Sequence, residues 1–205
     1  MNEFDTKAAD WDLNPMHRDR SEAIVKEIKK RIPLNLNMTA LEFGAGTGIA
    51  SFLLMDQVKE IFLMDNSSEM VRIMGEKIAA AGVSNLKVIN FDLEHNDYNS
   101  GTFDLIFTQM VLHHVDDIDD IIKKFSSLLK TGGFLAIADL YEEDGSFHGE
   151  GFTGHNGFDP ENLSEIISRN QFRNITHGSC FTINRNISES ETRQYPVFLL
   201  TASRY

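Results

Sequence analysis

The sequence predicts an α/β chain: a doubly wound, mainly parallel sheet of seven strands with an antiparallel last strand and helices on both faces. Three observations carry that expectation. Short apolar runs of strand length alternate with amphipathic stretches through most of the 205 residues, the pattern of a parallel sheet covered on both sides. A glycine-rich stretch, GAGTG at 44–48, directly follows the first apolar run. The last two runs are joined by about a dozen polar residues and no helix, which permits an antiparallel pair.

The elements follow in order. Ile24, Val25, Ile28 and Ile32 fall at helical spacing, and Pro33 stops that helix. MTALEF (38–43) reads as a buried strand ending at the glycines, after which Thr47 to Leu54 start a helix. EIFLMD (60–65) is a second strand with Asp65 at its end. Ser67 opens a helix with Met70, Met74, Ile78 and Ala81 on one face, closed by Gly82. LKVIN (86–90) and FDLIF (103–107) are the third and fourth strands. Ile118, Ile121, Ile122, Phe125, Leu128 and Leu129 mark another amphipathic helix. TGG (131–133) turns the chain into the strand FLAIAD (134–139). Asp159 with Pro160 behind it is an N-cap and first helical position, for a helix running to about Asn170. ITHGSCFTI (175–183) and PVFLLTAS (196–203) complete the sheet.

The chain reads as a single domain, residues 1–205, in which residues 1–19 form a polar arm. Its first residues, MNEFDTKAADWD, have no basic region followed by an apolar one, so no secretory signal is expected. No apolar run reaches membrane-spanning length. The sole cysteine, Cys180, leaves no disulfide framework, in keeping with a cytoplasmic location, and it reads as a core residue. A net charge of −12 with no basic run disfavours nucleic acid as a partner.

The glycine spacing carries the chemistry. A dinucleotide loop is G-x-G-x-x-G, whose third glycine would fall at Ile49 here; the loop is instead Gly44, Gly46 and Gly48, or G-x-G-x-G. Glu42 stands two residues before it. A carboxylate there repels a pyrophosphate and suits an ammonium or sulfonium group. Asp65, 21 residues after Gly44, can accept from both hydroxyls of a ribose. Asp92 ends the third strand, where an adenine edge would lie.

In that order LEFGAGTG, LMDNSSEM, NFDLE, FDLIFTQMVLHHV and LLKTGGFLAIADLY resemble the successive motifs of the class I S-adenosylmethionine-dependent methyltransferases, over residues 38 to 141. The likeness is to the small-molecule branch that includes the ubiquinone-biosynthesis enzymes. It implies a Rossmann-like fold, S-adenosyl-L-methionine as cofactor and a small-molecule methyl acceptor. Glu42 would then partner the methionine end, and Gly44, Ala45, Gly46 and Gly48 would form the cofactor loop. Asp65 would hold the ribose, with Asn66 and Met70 beside it. Asp92 would take the adenine amino group, Leu93 the ring, and Thr108, Gln109 and Met110 the methionine side. The opening FDTKAADWD resembles the segment that covers the cofactor in that branch, with Trp11 closing over the pocket or pinning the arm. The fourth strand ends in TQMV, without the Asn/Asp-Pro-Pro-aromatic motif of enzymes that methylate adenine or glutamine amino groups.

On the acceptor side, His113 and His114 follow the fourth strand and either orient that loop or face the acceptor; His114 is the candidate. Residues 141–158, rich in glycine and phenylalanine, leave a strand end on the binding side and read as a lid. Their His148 and His155 could remove a proton from an acceptor hydroxyl or amine. Their seven-residue spacing matches no recognised ligand pattern, so no metal is expected from them. The rival expectation is a protein that binds the cofactor as a sensor or partner and transfers nothing.

Overall fold

The computed structural model describes residues 3–188 and 191–205, with Glu3 described for its backbone only. Seven strands form a sheet in the order β3-β2-β1-β4-β5-β7-β6. They are β1 (Thr39–Phe43), β2 (Glu60–Asp65), β3 (Leu86–Asn90), β4 (Phe103–Gln109), β5 (Leu129–Leu140), β6 (Phe172–Asn186) and β7 (Thr192–Arg204). β1 pairs in parallel with β2 on one side and β4 on the other. β7 runs antiparallel to both β5 and β6, as the polar connection suggested. The chain order therefore reverses between β1 and β4, and in open sheets of this kind the crevice beyond the strand ends at that point receives the ligand.

Alternating residues of the strands feed two cores. Ala40, Leu63, Phe107 and Ala138 pack with Ile24, Ile28, Leu54 and Met74, from the helices α2 (Pro15–Arg31), α3 (Ile49–Leu54) and α4 (Ser68–Ala81). Leu41, Phe43, Ile106 and Leu135 pack with Ile122, Phe125, Leu163 and Ile167, from α5 (Ile118–Leu128) and α6 (Pro160–Arg169). Local chemistry sets the helix starts. Ser67 and Asp159 accept from the backbone N–H groups of Met70 and Glu161, and Gly82 ends α4 in the left-handed region.

Three elements differ from the sequence reading. The arm is helical: α1 (Glu3–Lys7) and a 3₁₀ stretch (Ala8–Leu13) lead into α2, which starts at Pro15 because Asn14 caps Met16. Its first turns are polar, so apolar periodicity did not show them. The glycines at 131–133 lie inside β5 as a bulge: pairing passes from Phe103↔Leu129 to Leu105↔Phe134, with Gly132 at φ +80°. Most of the polar link between the last strands is itself paired, down to Asn186↔Thr192. Cross-strand hydrogen bonds hold that extension, and alternating hydrophobicity gave no sign of it.

Candidate functional site

A cavity of about 740 Å³ opens at the carboxyl ends of β1, β2 and β4. Its floor is the glycine loop. Gly44 has φ +66°, and a Cβ there would lie 2.5 Å from Val111 Cγ2. Gly48 has φ +82° and little room against Leu63. Only glycine meets both demands, and the backbone is left bare toward the cavity.

The acids around this loop are held by backbone donors and by burial. Asp65 Oδ2 accepts from Gly46 N at 2.8 Å and Oδ1 from Ser67 N at 2.9 Å. Asn66 N–H is a further donor to this carboxylate, which with about four lone-pair sites still has room to accept more. Burial raises the Asp65 pKa, and these N–H groups oppose the rise. Glu42, two residues before the loop, is fully buried. Ser51 Oγ donates to its Oε2 at 2.5 Å, while Oε1 has no hydrogen-bond partner among the described residues. Burial, with the Asp65 charge adding to it against the Ser51 bond, pushes Glu42 up to about 8. Asp92 faces the cavity beside buried Leu93, and its carboxylate meets the His95 ring at 3.0 Å.

Gly44, Ala45, Gly46, Asp65, Asn66, Met70, Asp92, Leu93 and Gln109 line the cavity. Glu42, Gly48 and Thr108 stand behind its wall. Gln109 accepts from Ser21 Oγ at 3.1 Å, tying α2 to the end of β4. Met110, next in the chain, lines the cavity at φ +56°, an uncommon conformation for a side-chain residue.

The arm roofs the cavity. Phe4, Lys7 and Trp11 line it, and Trp11 packs on the His17 ring at 4.3 Å. Asp5 accepts from Ser67 Oγ at 2.6 Å, and Asp12 bonds Thr47 and Lys77. Deletion of residues 1–19 is therefore expected to leave a folded domain with weaker cofactor retention, read by circular dichroism and calorimetry. Loss of folding would make the arm structural.

Three histidines gather in the lining of the cavity. His113 is buried and its Nδ1 meets Asp139 Oδ1 at 2.6 Å, while Asp139 Oδ2 accepts from the His113 backbone N–H. The His114 ring lies 4.3 Å from it, and His148 4.9 Å from it. His148 stacks on Phe152 at 3.8 Å. Its pKa is pushed down to about 4, first by burial and then by His113, His114 and Arg185. His155 is elsewhere: its Nε2 bonds the Val115 carbonyl at 3.0 Å, its backbone N–H bonds the His113 carbonyl, and it does not line the cavity. It supports the loop rather than facing the cavity. Residues 141–158 fold back on themselves, with Glu142 N and Glu143 N donating to the Phe158 and Asn156 carbonyls.

Some lining residues escaped the sequence. Arg20 is buried, with Nε unpartnered among the described residues, and burial pushes it down to about 10. A lone arginine one turn before Ile24, on the apolar face, was the available signal. Ile183, Asn184, Arg185 and Asn186 reach the cavity from the extended β6–β7 ribbon, which no local pattern announced.

Residues 41–137 match the methyltransferase domain family. Over these residues, just under half of its length, the chain is similar to the class I S-adenosylmethionine-dependent methyltransferases. S-adenosyl-L-methionine is the cofactor of this family, and the bare glycine floor and the remaining acceptor capacity of Asp65 fit it, with the unpartnered Glu42 oxygen buried behind that floor. The chain is 29% identical over 153 residues to an uncharacterized methyltransferase of Schizosaccharomyces pombe, covering 67% of this chain and 54% of that protein. It is 24% identical over 127 residues to the sterol 4-C-methyltransferase strm-1 of Caenorhabditis elegans, covering 59% of this chain and 38% of that protein. The chain thus spans about half the length, or less, of these two curated relatives. Its fold is that of the N-methyltransferase NodS of Bradyrhizobium japonicum solved with S-adenosyl-L-homocysteine, at TM-score 0.69 and 16% identity, covering 93% of this chain and 88% of that one.

Proposed function

We propose that this chain transfers a methyl group from S-adenosylmethionine to a small-molecule acceptor. The observation that carries the reading is one cavity with two unlike halves. Asp65, Asp92 and Glu94 line one side, and His113, His114, His148 and Arg185 the other. Its volume suits small molecules, and a net charge of −12 offers little to a nucleic acid.

When bound, the cofactor supplies an electrophilic methyl group on a sulfonium. The protein's part is binding and alignment, worth roughly 7–11 kcal/mol in favourable cases. Asp65 accepts from the ribose hydroxyls, and Asp92 with Leu93 receives the adenine. Phe4 and Trp11 exclude water from above. His114 and His148 meet the acceptor, and residues 141–158 act as its cover. No described helix is long and apolar enough to cross a membrane; a cytoplasmic location is part of the proposal.

Glu42 gives a test of the cofactor end. Near pH 7 an acid held at about 8 is mostly protonated, and a bound ammonium and sulfonium draw that proton off. Cofactor binding is therefore expected to release a proton near pH 7 and to strengthen as pH rises toward 8. Calorimetry in buffers of different ionisation enthalpy measures the release, and Glu42→Gln should abolish it. The same raised pKa means that the unliganded fold binds more protons than the unfolded chain, so its stability falls as pH rises between about 4.5 and 8.

The function itself is tested by incubating the protein with methyl-labelled cofactor and fractionated metabolite extracts, with RNA and protein fractions alongside. Label in a small-molecule fraction supports the reading. Label confined to RNA or protein, or none with cofactor bound, overturns it; the last outcome is that of a sensor.

A further inference from the structure

The three histidines at the acceptor side have a geometry that proton handling alone does not require. We infer that His113, His114 and His148 form a site for a divalent transition-metal ion, with zinc the best match to three imidazoles. The inference rests on the proposed function only for where the acceptor sits.

One ring nitrogen from each residue lies within 4.8 Å of the other two. A tetrahedral zinc with bonds of about 2.0–2.1 Å sets its nitrogens about 3.3 Å apart. The rings therefore need to close by no more than about 1.5 Å. His148 has the freedom to do so: it sits between Gly145 and Gly149, both at positive φ, and its Nδ1 is buried without a partner among the described residues.

The surroundings fit a ligand set. His113 Nδ1 is engaged by Asp139, which fixes the ring and leaves Nε2 for a metal. A carboxylate behind a ligating histidine is the usual support of such sites, orienting the ring and raising its basicity. Asp139 is fully buried and further held by the backbone N–H groups of His113 and Leu140, so this support is rigid. It also brings negative charge to a cluster that Arg185 makes more positive. Imidazole donors select zinc, copper, nickel or iron over magnesium or calcium.

All three histidines line the cavity. Three protein ligands with an open fourth position is the arrangement of catalytic rather than structural zinc. The open side faces the acceptor, so a hydroxyl or thiol there would complete the coordination and lose its proton more readily.

The test starts from chelator-stripped protein titrated with zinc sulfate, and separately with cobalt(II) chloride. One equivalent of zinc is expected to bind at micromolar concentration or tighter, and cobalt to give the intense visible bands of a tetrahedral site. His114→Ala and His148→Ala should each weaken zinc at least roughly tenfold and remove those bands. Asp139→Asn should weaken it by roughly 10–100-fold. His177→Ala, at a partly exposed histidine paired with Glu161, should bind as wild type does. Uptake below one equivalent, or uptake unchanged in both His114→Ala and His148→Ala, overturns the site. S-adenosylhomocysteine affinity measured on the same samples reports folding and the cofactor site. A failed metal site is thereby separated from a failed methyltransferase.

Discussion

Replacing His148 with alanine is expected to lower turnover roughly a hundredfold and to leave cofactor affinity nearly unchanged. A positioned group that handles the acceptor's proton contributes about 10²–10⁴ to rate, and the low end suits a transfer in which alignment carries much of the barrier. The ring stands beside His113 and His114, away from Asp65 and Asp92 across the cavity lining, so its removal is expected to spare the nucleoside half. Single-turnover rates on a verified acceptor, with calorimetry for the cofactor, make the measurement. Full activity would reduce His148 to packing against Phe152. A loss of cofactor affinity instead would place it in the nucleoside pocket. His155→Ala is the matched control, because that ring is spent on the Val115 carbonyl.

The second large effect is at Asp65. Its carboxylate accepts from backbone N–H groups at the loop and after β2, and in the proposed function it also takes the ribose. A hydrogen bond to a charged group is worth about 1.5–3 kcal/mol before compensation by water. Asp65→Ala should therefore weaken cofactor binding at least tenfold, in the range of 1.4 kcal/mol per decade. Because Gly46 N and Ser67 N lose their acceptor as well, part of the loss comes from the loop. Asp65→Asn separates the parts, since one amide oxygen remains to accept while the charge is gone. An unchanged dissociation constant in folded Asp65→Ala would move the ribose elsewhere.

The glycine loop and the acids around it were legible in the sequence because their causes are local. Gly44 and Gly48 are demanded by the turn they make, Asp65 follows from its place at a strand end, and Ser67 caps the helix it precedes. The seven strands and the antiparallel β7 followed from the same kind of signal. The acceptor side was not legible in the same way. His113 and His148 are 35 residues apart, and only the fold of the 141–158 loop brings them together while sending His155 away. Gly154 enforces that fold: a Cβ there would stand 2.3 Å from the His113 carbonyl. Nor could Arg185 be placed, since the ribbon that carries it is held by polar pairs without hydrophobic alternation.

The arm that roofs the cavity has a kinetic consequence. In the proposed function, product and fresh cofactor exchange after the roof lifts, and lifting it breaks the bonds of Asp5 to Ser67 and of Asp12 to Thr47 and Lys77. The Asp12–Lys77 pair is partly exposed, with side chains 41% and 29% accessible, so salt screens it while leaving the buried acids largely alone. Residence time of the demethylated product should shorten as ionic strength rises, with the equilibrium contacts to the nucleoside little altered. Where release limits the cycle, as it does in many enzymes with closing segments, moderate salt would then speed the steady state while slowing no chemical step.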